Sequence, residues 1–169
     1  MKTLVKLVLL CLSAITLISC GAQRMVSTQI SSNNNSTFEC VGLTDKGECI
    51  VSATGTGSNT SSISSVVLKN AIYALLFDGI KGNEENRVKN LQPMIADKNT
   101  FNTKTEYFTP FFSTNGKYLQ FIKPMPGAMP KTIRTKSGYK VTTTYLIDKN
   151  ALRKELEANG IIKSLSNIL

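Results

Sequence analysis

An apolar run of twelve residues, 7–18, stops just short of Cys20 and separates the front of the chain from whatever folds behind it. Lys2 and Lys6 flank the run, and no acidic residue occurs before Glu39. A helix needs roughly 20 apolar residues to cross the hydrocarbon of a bilayer, so this run is too short for a stable span. A positive start, a short apolar stretch and a small residue at its end are the parts of a cleavable signal peptide. Residues 1–19 are therefore expected to be removed. The remaining 150 of 169 residues have the size of one domain with a tether.

The end of the run is more specific. Leu17-Ile18-Ser19-Cys20-Gly21 resembles the lipobox of bacterial lipoproteins, with Leu three residues before the cysteine, a small residue just before it and glycine after it. The resemblance implies cleavage before Cys20 and a thioether-linked diacylglycerol on its thiol. Two or three acyl chains, at about 0.8 kcal/mol per buried methylene, make release from a bilayer very slow. Gly21 and Ala22, with no Asp after the cysteine, imply by the lipoprotein sorting rule the outer membrane, facing the periplasm. An ordinary secretory signal with a chance cysteine would end in an A-x-A-like site, which is lacking.

Apolar content of 41% and charged content of 18% suit a globular chain rather than a disordered one. Without Lys2 and Lys6, 18 basic side chains face 11 acidic ones, a net charge of +7. Such a charge favours anionic neighbours, namely lipid headgroups, acidic glycans or an acidic protein, and export argues against nucleic acid. Lys117, Lys123, Lys131, Arg134, Lys136 and Lys140 follow one another without an acidic residue among them. They read either as an anionic-ligand patch or as the solvated side of surface strands.

Cys40 and Cys49 remain after Cys11 leaves with the signal and Cys20 takes lipid. The oxidising compartment permits a disulfide between them. Asp45-Lys46-Gly47 reads as a hairpin turn. A three-residue loop pairing Thr44 with Glu48 sets Cys40 opposite Ser52 and Cys49 on the other face. A two- or four-residue loop sets the cysteines directly opposite each other, since one residue of slip inverts the face.

Residues 20–36, the lipidated cysteine and a Ser/Asn-rich stretch, read as a flexible tether, its last sixteen residues spanning roughly 20–24 Å. A single domain is expected over 37–169. Residues 38–42 and 49–53 read as strands. Ile63, Val66, Val67, Ala71, Ala74 and Leu75 then follow helical spacing, with Asn70 and Asp78 as polar interruptions. Ser61 or Ser62 is the expected cap, and Gly79 the stop. Residues 90–95 suggest a strand or short helix. Residues 131–136 and 139–147 suggest a hairpin across Ser137-Gly138, offering Ile133, Val141, Tyr145 and Ile147 to the core. A last helix begins at Asp148 or Asn150, carries Leu152 and Leu156, and ends at Asn159-Gly160, after which Ile162, Leu165 and Ile168 continue an apolar stripe. The expected fold class is α+β, one domain with a mixed or antiparallel sheet covered by helices on one face.

The sequence contains no histidine, which removes Cys/His zinc sites and Ser-His or Cys-His nucleophiles. The eleven acids are scattered and form no evident catalytic pair. Gly55-x-Gly57 lies between a strand and a helix, but no third glycine or P-loop lysine follows, and a tight strand-to-helix turn accounts for it. The aromatic group Tyr107, Phe108, Phe111, Phe112, Tyr118 and Phe121 could stack on sugars or peptides, but in a chain without Trp it suits the core better. No enzyme, metal or cofactor is expected.

Ala53-Thr54-Gly55-Thr56-Gly57, Leu76-Phe77-Asp78-Gly79-Ile80, Tyr107-Phe108-x-x-Phe111-Phe112 with Gly116-x-Tyr118, and Leu152-x-x-x-Leu156-Glu157-x-x-Gly160-Ile161-Ile162 together resemble small uncharacterised lipoproteins of Bacteroidetes-type bacteria. The strand, glycine and helix start is distantly similar to domains of outer-membrane and flagellar-type assembly lipoproteins. The resemblance implies an envelope role in binding or assembly and supplies no catalytic residue. The leading expectation is a membrane-anchored binding or assembly domain that docks onto a protein partner. The alternative is a ligand-binding module for an anionic glycan or lipid.

Overall fold

The computed structural model describes residues 35–164. The expected signal peptide, Cys20, most of the tether, and Leu165 and Ile168 lie outside the described residues. β1 (Ser36–Leu43) and β2 (Cys49–Gly57) form an antiparallel hairpin. The loop has three residues: Thr44 N–H donates to Glu48 O at 2.9 Å, and Gly47 takes φ 79°. On its own this register would send the two cysteines to opposite faces. A β-bulge at Val41 intervenes. Leu43 pairs with Cys49 and Gly42 with Ile50, but the ladder resumes with Cys40 on Val51. The extra residue inverts the face of everything before it. Both cysteines therefore end on the core face, fully shielded from solvent.

β6 (Gly138–Ile147) pairs antiparallel with all of β2, and β3 (Lys81–Gly82) lies parallel to β1. β4 (Ile122–Pro124) and β5 (Lys131–Thr135) take successive stretches of the free edge of β6, and residues 125–130 loop out between them. The sheet is thus mixed and six-stranded, in the order β3-β1-β2-β6-β4 with β5 also on β6.

α1 (Thr60–Tyr73) continues through a π-helical turn, Ala74–Asp78, and stops at Gly79 with φ 81°. Its cap is Asn59 rather than the expected Ser61 or Ser62. Asn59 Oδ1 accepts from Ser61 N–H at 2.9 Å and from Ser62 N–H at 3.2 Å, a role Asn fills as well as Ser. By length and composition Thr60–Asp78 could cross a bilayer. Here Ile63, Val67, Ala71, Ile72, Leu75 and Leu76 are buried instead, with the helix lying on β2 and β6. It sits very close. A Cβ on Gly55 would fall 2.3 Å from Val67 Cγ2 and 2.9 Å from Ile63 Cγ2.

The aromatic residues belong to the core. α2 (Thr100–Thr103) and α3 (Thr105–Phe111) bring Phe101 and Phe108 to 5.7 and 5.3 Å from Phe77, centroid to centroid. Phe111, Phe112, Tyr118 and Phe121 are buried beside them. α4 (Lys149–Ala158) is capped by Asp148, whose Oδ1 accepts from Ala151 N–H at 2.8 Å, and buries Leu152 and Leu156 completely. Gly160 at φ 64° closes it, with Ile161 N–H on Leu156 O.

Two further expectations are corrected. Residues 90–95 form neither strand nor helix; Leu91 makes a single bridge with Ile80, and Ile95 is buried from irregular backbone. Ile133 is 47% exposed rather than in the core. It pairs with Lys140 on the face that no helix covers, whereas Val141, Tyr145 and Ile147 point beneath the helices and are buried. The fold class is as expected, a single α+β domain with helices on one side of a mixed sheet.

Candidate functional site

Because side chains alternate along a strand, burying Val51, Ala53, Val141 and Tyr145 under the helices sends their neighbours to the opposite face. Ser52, Thr54, Thr56, Thr142 and Thr144 form the middle of this open face. The hydroxyls of Thr54 and Thr142 lie 2.8 Å apart. Toward β3 the face dips into a shallow depression of about 260 Å³ lined by Thr37, Glu39, Ser52, Thr54 and Lys81. Glu39 is held there by Asn83 Nδ2, which donates to its Oε1 at 2.9 Å.

The six basic residues do not act together. Lys117 is paired with Glu155 at 2.7 Å, and Lys123 with Glu48 at 2.9 Å. The other four lie on the β5–β6 hairpin and its turn, and no described carboxylate reaches ion-pair distance of them. Directly paired residues share a face. Lys131 is opposite Thr142 and Ile133 opposite Lys140, which places Lys131, Ile133 and Lys140 on the open face. Arg134, opposite Tyr139, points to the other side, and Lys136 sits at the turn. Every residue of β5 is exposed, and Met129, just before it, is 92% exposed. Sequence reasoning singled out the lysines and missed the apolar residues beside them. Ile133 on a β-period read as core, and Met129 in a proline-rich stretch carried no signal.

The other candidates resolve into structure. Gly55 and Gly57 lie within β2 and not in a turn; they are glycine because α1 rests on them. The first free amides of α1 are taken by Asn59, which leaves no preformed phosphate cradle there. Of the two polar interruptions in the helix, Asp78 meets Lys98 at the surface. Asn70 is buried, with Oδ1 lacking a partner among the described residues, and lines a cleft of about 330 Å³ with Ser36, Gly55, Ile63 and Val67. Among the described residues no three acids or cysteines gather as metal ligands would.

Cys40 and Cys49 are free thiols side by side. Their mutual hydrogen bond and burial raise Cys49 above the ordinary thiol range, while the same bond lowers Cys40, whose Sγ also lies 3.5 Å from Gly42 O.

Comparison with protein-family models, curated proteins and solved structures finds no match, so the chemistry of these surfaces carries the functional argument alone.

Proposed function

We propose that this chain is a lipid-anchored protein of the bacterial envelope whose domain is a non-catalytic docking module for a protein partner. The observation that carries the reading is β5. It is exposed along its whole length, and its outer edge has no strand among the described residues. A bare edge offers unpaired N–H and C=O groups to an extended peptide. Lys131, Arg134, Lys136 and Lys140 bias that peptide toward acidic sequence, and Ile133 and Met129 give it apolar contacts. The lipobox and the short tether hold the module near the membrane, and the absence of histidine from the sequence favours binding over catalysis.

Two experiments test the two halves of this reading. Cys20→Ser is expected to abolish incorporation of radiolabelled acyl chains and to move the protein out of the membrane fraction; retention of both would refute the anchor. A photo-crosslinking side chain in place of Ile133 is expected to give a discrete protein adduct in cells. Reversing Arg134 and Lys136 to Glu should reduce its yield about tenfold, the effect of roughly 1.4 kcal/mol of charge complementarity. Adducts confined to lipid or glycan would replace this reading with the anionic-ligand module, and no adduct at all would remove both.

A further inference from the structure

We infer that Cys40 and Cys49 are joined by a disulfide in the mature protein, formed by exchange with an external disulfide while the β1–β2 hairpin closes. Three observations converge. The bulge at Val41 turns Cys40 onto the face of Cys49, which the three-residue loop alone would prevent. Both side chains are fully buried, so neither thiol faces water. The interaction of the two side chains moves their acidities in opposite directions, Cys40 down and Cys49 up. A free pair of buried thiols needs no bulge to pack as two small apolar residues. The bulge sets Cys40, opposite Val51, on the same face as Cys49, two residues back along β2.

The exchange balances as follows. Cys40, as thiolate, attacks one sulfur of a low-molecular-weight or oxidoreductase disulfide. One S–S bond breaks, a mixed disulfide forms on Cys40, and the first external thiol leaves. Cys49 then gives up its proton and attacks the Cys40 sulfur. The second external thiol leaves, so two protein thiols are oxidised and one external disulfide is reduced. Because neither sulfur is exposed in the finished domain, the exchange belongs to the open hairpin. Oxidation of the folded dithiol is expected to be slow, limited by local opening.

The inference rests on the export reading, and the test separates the two. Lys46 lies in the loop between the cysteines, so trypsin divides them between peptides 25–46 and 47–69. Full-length protein is taken from cell membranes, alkylated in denaturant without reductant, digested and analysed by mass spectrometry. A second sample is reduced, unfolded and refolded with oxidised glutathione before the same digest. The expected result is one disulfide-linked pair, 25–46 with 47–69, in both samples. Reduction of the linked protein should lower its Tm by on the order of 10 °C. A refolded protein with both cysteines alkylated, or with either bonded to another cysteine, overturns the inference. A link formed on refolding but missing from the cellular protein overturns the bond in the mature protein and traces that failure to the export reading.

Discussion

Phe77→Ala is expected to destabilise the domain by about 3–5 kcal/mol, the cost of removing a buried aromatic ring where the surroundings close in poorly. The ring is 1% exposed and sits where three parts of the chain meet. Tyr73 approaches it within its own helix at 4.9 Å, Phe101 meets it edge-on at 5.7 Å and Phe108 at 5.3 Å. These neighbours are rigid rings that cannot flow into the void. A loss of this size is a large part of the 5–15 kcal/mol that keeps a domain folded. Urea denaturation followed by circular dichroism reads it as a lower midpoint with an unchanged slope. A loss below about 1 kcal/mol would show that the aromatic group is not the centre of the core.

The second large effect is at Gly55. Gly55→Ala is expected to cost about 1–3 kcal/mol, because the new Cβ collides with Val67 and Ile63 and α1 must lift from β2. Val67→Ala opens a void at the same spot and costs stability separately. Combined, the two changes fill one another, so the double variant should be less destabilised than the sum by about 1–2 kcal/mol. Additive costs in the same urea titrations would mean that the glycine serves some other purpose, such as close approach of a ligand to the strand. Coupling ties it to helix packing.

These positions also show what could be read from the amino acids. Periodicity places α1 because Ile63, Val67, Ala71 and Leu75 repeat on one stripe, and it fails at the cap because Asn59, Ser61 and Ser62 are all good caps. Only the backbone decides among them. The hairpins are visible through Asp45-Lys46-Gly47 and Ser137-Gly138, yet the face of Cys40 is not. It depends on one unpaired residue, Val41, that has no compositional signature. The basic stretch is readable as charge but not as surface. Glu48 and Glu155 neutralise two of its members from distant parts of the chain, and counting charges along a segment cannot register such partners. Ile133 misleads for a related reason. Alternation tells that a strand has two faces, and only the helices decide which of them becomes interior.

The six-residue detour between β4 and β5 has a consequence for how the domain behaves in a crowd. Straightened, the chain from Ile122 to Thr135 would line the whole free margin of β6, a long flat template for another copy of itself. The loop at 125–130 cuts that margin in two, and Pro124, Pro126 and Pro130 cannot donate to a neighbouring ladder. What is left is a landing strip of five residues studded with positive charge. Identical domains brought side by side along this margin therefore meet like charge instead of a long continuous template.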